Sequence, residues 1–393
     1  MIKPKKLFLL WVTTLILIIN FPITQAASAK VKLDHGLVIE SRDKVISLRI
    51  GGRIQGDVAL YDNQQTKLGS GTEVRRSRLF ISGSLPNDWR FRTEYDFAHN
   101  EVGIKDAWIG YQGLENVSLK FGNIQEPLGL EQAISSNNTT FMERALPNAL
   151  LPGYKLGSAI YSRGKNWRVS GGIFGDSVAA SNGEDDEGWG LVARLTAAPH
   201  YKDDKHALHV GVAAEVRKPN EQQKVRYRAR PESHVSGRRL VDTRTIKAVD
   251  KTMTRGLEAA IVQGPWSLQG EYIHVDIQRD NAETLALNGW YIYGSWLMTG
   301  ESRRYRVNKG SFRPIKPKAS YGAWELALRY SRLDLSDKDV HGGKQSNATI
   351  GMNWYASSNV RLMMNYIHVR ANPNRDGVQE RPKIIQGRIQ LVF

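Results

Sequence analysis

Apolar and polar residues alternate along many short segments of this chain, and this two-residue period constrains its fold more than any other feature. In residues 45–62 one parity is apolar, with Ile46, Leu48, Ile50, Ile54, Val58 and Leu60. The other parity carries Ser47, Arg49, Arg53, Gln55 and Asp57. Residues 89–98 and the segment near 324 repeat the pattern. Because successive side chains of a strand point to opposite faces, the alternation predicts an all-β protein.

Alternation alone leaves two architectures open. In a soluble sandwich the polar face meets water and the apolar face meets a second sheet. In a membrane barrel the apolar face meets lipid and the polar face lines the lumen. The alternation at 385–393 continues up to Phe393, as is characteristic of strands that end bacterial outer-membrane barrels. This favours the barrel.

The number of candidate strands agrees with a barrel of porin size. They begin near positions 45, 73, 89, 103, 117, 156, 167, 187, 206, 254, 266, 285, 323, 346, 360 and 382. An even number is required in bacterial barrels, and about sixteen strands enclose a water-filled lumen. The connections at 123–155, 218–253 and 298–322 are long and many others are short, so we expect long outer loops and short periplasmic turns.

The N-terminus predicts export. Lys3, Lys5 and Lys6 precede an apolar run over 7–19, and Ala27-Ser28-Ala29 follows as a small-residue cleavage site. The run is shorter than the roughly 20 residues that a membrane helix needs, and no later segment reaches 18 apolar residues. We therefore expect a signal peptide at 1–29, cleaved after Ala26 or Ala29, a short periplasmic segment at 30–44 and an outer-membrane barrel at 45–393.

Composition limits the partners and the chemistry. The chain has 55 Lys and Arg against 39 Asp and Glu, a formal net charge of +16, so its partners should be anionic. The export signal argues against nucleic acid and leaves small anions or an acidic lipid surface. Cysteine is absent. We expect no cofactor.

No segment supports catalysis or metal binding. Gly175-Asp176-Ser177-Val178 resembles a hydrolase serine motif, but no helix is predicted after it. His206 and His209 would point to opposite faces of a strand, so they cannot share a metal ion. We expect no catalytic residue and no metal site.

The same parity assigns arginines to the lumen. Arg49 and Arg53 face inward in the first strand, as do Arg76 and Arg78 in the second. An arginine that faced lipid at the bilayer centre would cost about 2–4 kcal/mol, which favours the inward orientation. Arg75 has the opposite parity and reaches the lumen only at the mouth or where the wall is kinked.

A basic connection at 218–250 carries nine Lys or Arg against four acids. Within it, Arg226, Arg228 and Arg230 occupy every second position, which in an extended chain places guanidinium groups about 6–7 Å apart on one side. The paired N–H donors of a guanidinium group suit phosphate or carboxylate oxygens. We interpret the row of three arginines as a ladder along which anions move. The alternative is a solvated loop that binds lipopolysaccharide phosphates.

The connection at 123–155 is too long and too apolar for a simple exposed loop. We expect it to fold inward and constrict the lumen. Arg144 would then join Arg53, Arg75 and Arg76 at the constriction, where the electric field of the charges is focused and the selectivity for anions is set. Glu143 or Asp106 would hold these arginines in place.

Several segments together resemble the phosphate-selective porin O and P family over nearly the whole mature chain. They are Leu48-Arg49-Ile50-Gly51-Gly52-Arg53-Ile54-Gln55, Val74-Arg75-Arg76-Ser77-Arg78-Leu79, Leu119-Lys120-Phe121-Gly122, Phe141-Met142-Glu143-Arg144, Arg228-Ala229-Arg230-Pro231-Glu232, Gly322-Ala323-Trp324-Glu325-Leu326 and Met352-Asn353-Trp354-Tyr355. The resemblance implies a homotrimer of sixteen-stranded barrels in the bacterial outer membrane. It also implies passive passage of phosphate or polyphosphate.

The resemblance also implies roles for particular residues. The constriction would comprise Arg53, Arg75, Arg76 and Arg144, with Asp106 as their acidic neighbour. The ladder would comprise Arg226, Arg228 and Arg230, joined by Arg238 and Arg239. A lysine wall would comprise Lys120, Lys316 and Lys318. Gln132 stands where phosphate-specific members typically have a lysine facing the pore. A general anion porin and a structural or adhesive barrel that binds polyanions therefore remain alternatives.

Overall fold

Sixteen antiparallel strands dominate the structure, a computed structural model that describes residues 29–33, 36–62, 65–98, 101–178 and 186–393. They are β1 (Ser47–Asp62), β2 (Gly71–Ser84), β3 (Trp89–Asp96), β4 (Gly103–Leu114), β5 (Val117–Gln125), β6 (Tyr154–Arg163), β7 (Trp167–Phe174), β8 (Trp189–Asp203), β9 (His206–Lys218), β10 (Val249–Gln263), β11 (Trp266–Arg279), β12 (Ala282–Leu297), β13 (Ala323–Asp337), β14 (Val340–Tyr355), β15 (Val360–Ala371) and β16 (Lys383–Val392). Residues 1–28, which hold nearly all of the predicted signal peptide, lie outside the described residues.

The sheet closes on itself. Each strand pairs with its chain neighbours, and β16 pairs with β1 from Lys383 opposite Asp62 to Val392 opposite Arg53. Phe393 and Gly52 exchange two backbone hydrogen bonds of 2.6 and 3.0 Å at the end of this seam. The predicted sixteen-stranded barrel is therefore confirmed.

Alternation along β1 follows the predicted parity. Arg53 and Asp57 are buried in the lumen, whereas Ile54, Val58 and Leu60 are 46%, 45% and 59% exposed on the outer wall. Exposed apolar side chains recur on most of the other strands. The outer wall thus presents the apolar band that lipid requires. In the described part of the chain, no helix is long and apolar enough to cross a membrane.

A β-bulge in β2 explains the position of Arg75. Gln55 of β1 pairs with Arg76, but the next residue, Gly56, pairs with Val74. Arg75 is the extra residue, and an extra residue on one strand locally breaks the alternation of faces. Arg75 and Arg76 therefore both reach the lumen, although they are adjacent in sequence.

The two ends of the barrel carry different connections. The start of β1, the end of β16 and turns such as 115–116, 164–166 and 264–265 lie at one end, the short-turn end. The inner loop (126–153) and the arginine loop (219–248) lie at the other, the long-loop end. The connection at 298–322 follows the twelfth strand and so starts from the short-turn end, and we call it the basal loop. The expectation that 298–322 is an outer loop was wrong.

Short elements complete the fold. A hairpin of Lys30–Leu33 and Leu37–Glu40 extends β1, since Leu37–Glu40 pairs with the first residues of that strand. The inner loop contains a helix at Leu130–Ala133 and a 3-10 helix at Leu146–Leu150. In the arginine loop Arg228–Ala229 pairs with Val241–Asp242. The basal loop pairs Tyr305–Arg306 with Ser311–Phe312 around a 3-10 turn at Val307–Lys309.

Candidate functional site: a constriction lined by cations

The inner loop crosses the lumen and is held there by arginines of the barrel wall. Arg361 donates to the carbonyl of Thr139 at 2.8 Å, Arg388 to that of Met142 at 2.6 Å and Arg329 to that of Glu143 at 2.9 Å. Irregular backbone in the lumen has no strand partners, so its carbonyl groups need such donors. These three side chains, on β15, β16 and β13, are the anchoring arginines.

Carboxylate and amide groups fix the rest of the loop. Glu271 of β11 accepts the backbone N–H groups of Leu130 and Glu131 at 2.6 and 2.8 Å, at the start of the short helix. Gln55 and Gln390 donate to the carbonyls of Ser136 and Asn137 at 3.3 and 3.2 Å. The loop therefore lies against β11, β13, β15, β16 and β1.

A cavity of about 320 Å³, the first cavity, lies between this loop and the part of the wall that β1–β6 form. Its lining is Arg53, Arg76, Arg78, Arg92, Glu94, Asp106, Lys120, Ile124, Gln125, Ala133, Ser135, Ser136, Arg144, Tyr154 and Tyr161. Six cationic side chains thus face two carboxylates. The excess of positive charge in a confined space favours an anionic occupant.

Glu94 organises the cations of the first cavity. Its carboxylate accepts from Arg53 at 2.7 Å, from Arg78 at 3.2 Å and also from Arg92. One negative charge is therefore shared by three positive ones. Asp106 pairs with Arg92 at 3.2 Å. Within the described residues it pairs with none of the arginines that the family resemblance assigns to the constriction.

Arg76 keeps hydrogen-bonding capacity. It donates to the side-chain oxygen of Gln55 at 2.7 Å and lies 3.9 Å from Glu143. Its Nε is buried without a hydrogen-bond partner among the described residues. An unmet buried donor is costly, and an anion oxygen would satisfy it.

Arg75 lies in the lumen but does not line the first cavity. Its guanidinium makes a two-pronged contact with Glu143 at 2.8 and 3.0 Å, and Arg388 joins the same carboxylate at 2.8 Å. Burial alone would raise the pKa of Glu143, but Arg75, Arg76 and Arg388 hold it well below its usual range. Arg75 thus shares one carboxylate with Arg76 and Arg388.

Arg144 and Gln132 belong to the internal structure of the inner loop. Arg144 lines the cavity while donating to the carbonyls of Glu131 and Ile134 at 3.0 and 2.9 Å. Gln132 is buried, donates to the carbonyls of Glu126 and Pro152 at 3.3 and 2.7 Å, and does not line the cavity.

The ladder arginines differ in their partners. Arg226 is paired with Asp242 at 2.8 and 2.5 Å. For Arg228, Arg230 and Arg239 the described residues provide no ion pair. Burial and then the neighbouring charge of Arg75 lower the pKa of Arg230, with Arg228 contributing as well.

Arg230 therefore lies within the electrostatic field of both Arg75 and Arg228. Burial, Arg230 and Arg228 likewise lower the pKa of Arg239. Arg238 is exposed, and the contact described for it is made by its backbone N–H.

The lysines assigned to a wall are dispersed. Lys120 lines the first cavity and lies 3.9 Å from the ring centre of Trp108. Lys316 and Lys318 are exposed on the basal loop, where the Lys318 ammonium donates to the carbonyl of Gly300 at 2.7 Å. Neither of them lines the first cavity. Among the described residues, no three His, Cys, Asp or Glu side chains are grouped to hold a metal ion.

Some lining residues were not singled out from the sequence. Arg92 and Glu94 have inward parity on β3, so alternation could have identified them. Ser135 and Ser136 follow from the path of the inner loop, which has no periodicity to indicate which side chains face the lumen.

Comparison with known proteins agrees with this architecture. The family model for "Phosphate-selective porin O and P" matches residues 48–393. Porin O of Pseudomonas aeruginosa is 27% identical, with 94% of each chain covered. An uncharacterized protein of Caulobacter vibrioides is 32% identical over 88% of this chain and 74% of its own.

Solved structures of outer-membrane barrels resemble the fold at low identity. OmpT of Vibrio cholerae matches with a TM-score of 0.58 and 10% identity, covering 92% of this chain and 99% of that one. The anion-selective porin of Comamonas acidovorans matches with a TM-score of 0.56 and 13% identity, covering 88% and 100%.

A closed sixteen-stranded barrel with a loop folded into its lumen, together with these relatives, defines an outer-membrane porin. The chain belongs to the phosphate-selective porin O and P family. It resides in the bacterial outer membrane, where the short-turn end faces the periplasm. Family and fold indicate a channel rather than an enzyme.

Proposed function

We propose that this porin is an anion-selective channel for passive uptake of phosphate or polyphosphate, without a cofactor. The observation that supports it most is the first cavity, where six cations face two carboxylates beside the inner loop. Hydrated anions give up water only where donors replace it, and guanidinium groups provide those donors in a fork that suits phosphate.

The proposed path joins the arginine loop to the first cavity. Arg228, Arg230 and Arg239 would attract anions at the long-loop end, and Arg53, Arg76 and Arg144 would bind them in the cavity. Arg230 would continue this path toward Arg75, whose positive charge contributes to lowering the pKa of Arg230. Asp106 and Lys120 would contribute to the charge of the wall that lines the first cavity. Arg238 would belong to the ladder at the long-loop end, and Lys316 and Lys318 to a lysine wall on the basal loop.

The test is single-channel recording of the purified protein in planar bilayers with chloride, titrated with phosphate. We expect anion-selective current that is blocked by phosphate at about millimolar concentration or below. Arg76→Gln should weaken the block about tenfold, since a hydrogen bond to a charged group contributes about 1.5–3 kcal/mol. The matched control is Arg332→Gln, at an exposed outer-wall position of β13.

Each outcome separates the alternatives. Current that is anion-selective but indifferent to phosphate would establish a general anion porin. The absence of any current would contradict the channel and favour a structural or adhesive barrel. An equal loss of block in Arg76→Gln and Arg332→Gln would contradict the assignment of the binding site to the first cavity.

We also propose that the channel is a homotrimer in contact with lipopolysaccharide. A trimer form has been solved for OmpT of Vibrio cholerae, whose fold is similar at 11% identity. Light scattering of the detergent-solubilised protein would give the mass of the assembly, and a monomeric mass would contradict the proposal.

A further inference from the structure

The arginine loop turns back on itself at its tip, residues 231–236, where Pro231, Glu232 and Ser233 are buried. The backbone N–H of Glu232 donates to the carbonyl of Arg230 at 2.8 Å, which closes a three-residue turn around Pro231. The proline ring fixes its own φ at about −65°, which suits such a turn. The direction of the chain on both sides of this turn is therefore closely defined.

Glu232 has a left-handed backbone, with φ 57°, and a carboxylate whose two oxygens are fully used. One oxygen accepts the backbone N–H of Leu146 at 3.0 Å and the hydroxyl of Ser331 at 2.6 Å. The other accepts the hydroxyl of Thr349 at 3.2 Å and lies 2.7 Å from the guanidinium of Arg329. A strained backbone of this kind persists only where the surroundings fix it, and such residues concentrate at functional sites.

The rest of the loop tip is fixed on the other side of the lumen. The carbonyl of Glu232 accepts the side-chain amide of Gln386 at 3.0 Å. The hydroxyl of Tyr61 lies 2.6 Å from that of Ser233 and accepts the backbone N–H of Ser236 at 3.0 Å. The tip is thus bound to β1, β13, β14 and β16, and to the start of the 3-10 helix of the inner loop.

Arg230 lies two residues before Glu232, so its position is fixed by the same contacts. Its Nε is buried without a hydrogen-bond partner among the described residues. An anion oxygen would satisfy this donor, because guanidinium groups form strong hydrogen bonds to anions. The ladder arginine next to the tip is therefore held in place by a carboxylate that it does not itself contact.

We propose that Glu232 is a positioning residue for anion binding, which holds Arg230 toward the anion path and joins the arginine loop to the inner loop. This inference rests on the proposed anion channel and adds a carboxylate to its machinery. By its charge alone, a carboxylate in the lumen would repel anions and weaken their binding. A positioning role has the opposite effect, so the sign of the change on neutralising Glu232 distinguishes the two.

The test is phosphate block of the chloride current through the whole protein carrying Glu232→Gln. The amide has one acceptor oxygen and a donating NH2 in place of the other, so it cannot accept from both pairs of donors. We expect phosphate block to weaken about tenfold, as for the loss of one hydrogen bond to a charged group, with anion-selective chloride current retained. A purely electrostatic role would instead make the block tighter.

Two further variants control for charge and for folding. Glu325→Gln neutralises a buried carboxylate of β13 that bonds to Asn353 at 2.9 Å and Tyr355 at 2.7 Å and contacts neither loop within the described residues. Its block should stay within about twofold of the wild type. Ser331→Ala removes one hydrogen bond to Glu232 without changing charge, and should weaken block about two- to threefold even if Glu232→Gln does not fold.

A double-mutant cycle separates positioning from a general loosening of the lumen. Arg230→Gln should weaken the block by itself. Adding Glu232→Gln to Arg230→Gln should then change the block by less than about twofold, because both substitutions remove the same contact with the anion. Losses that add in full would contradict the assignment of Glu232 to the position of Arg230.

The failures of this inference and of the proposed function are distinguishable. A wild type that phosphate blocks, with block unchanged or tighter in Glu232→Gln and in Ser331→Ala, would overturn the positioning role and leave the channel supported. A wild type that conducts chloride without any block by phosphate would overturn the proposed phosphate path and this inference with it.

Discussion

Two groups of inward-facing arginines behave differently in this barrel. The anchoring arginines give a donor to a backbone carbonyl of the inner loop. Arg53 on β1 and Arg92 on β3 instead crowd around Glu94 and line the first cavity, and the contact of Arg53 with the inner loop is made to the hydroxyl of Ser136 at 2.8 Å and not to a carbonyl. Both groups have the same parity on their strands. Strand parity thus determines that an arginine faces the lumen, and the path of the loop determines whether it fixes the structure or faces an anion.

Arg329 connects two loops and should show the largest effect on stability. It lies 2.7 Å from Glu232 of the arginine loop and 3.7 Å from Glu131 of the inner loop, and all three side chains are buried. Arg329→Ala would leave two buried carboxylates without this partner, which typically costs about 3–5 kcal/mol. Chemical unfolding followed by tryptophan fluorescence measures the loss.

Arg332→Ala is the control for this change, because Arg332 is exposed on the outer wall of the same strand. We expect its midpoint of unfolding to match the wild type. Equal midpoints of unfolding for the wild type, Arg329→Ala and Arg332→Ala would contradict the division between anchoring and cavity-lining arginines.

Gln132 provides a sharper test of that division. Its side chain is buried and donates to two loop carbonyls, so Gln132→Lys would place an ammonium inside the loop. We expect a loss of about 1–3 kcal/mol in the free energy of unfolding and a change of less than about threefold in phosphate block. A tenfold tighter block would instead mean that position 132 faces the anion path.

The smallest effect is expected in the arginine loop. Arg228 is exposed and unpaired among the described residues, so Arg228→Gln should slow anion entry about two- to threefold at low salt. The effect should vanish at about 1 M salt, where the Debye length is about 3 Å. Current–voltage curves at both salt concentrations measure it.

Arg226, the ladder arginine that is paired with Asp242, provides the control. Arg226→Gln with Asp242→Asn removes an ion pair without a net change of charge, and we expect the current to be unchanged. A salt-dependent fall in current of the same size in this double variant would show that the lost positive charge is not the cause of the effect of Arg228→Gln.

Local alternation was sufficient to predict the strands, the barrel and the inward side of Arg53 and Asp57, because a charged side chain that faces lipid near the bilayer centre is costly. It was insufficient for Arg75, whose orientation depends on how β2 pairs with β1 at the bulge. Gln132 could not be oriented at all, because an irregular loop has no period. The end at which 298–322 lies could have been found by counting the twelve candidate strands before it.

The contacts of Ser136 and Asn137 have a consequence for how the barrel assembles. Their carbonyls accept hydrogen bonds from Gln55 on the first strand and Gln390 on the last, so two residues of the inner loop lie across the seam where β1 meets β16. Such long-range contacts form late and slowly. These contacts couple the closed seam to the seated inner loop. A barrel that closed before its inner loop had entered would lack the side-chain hydrogen bonds that join the loop to both strands of the seam.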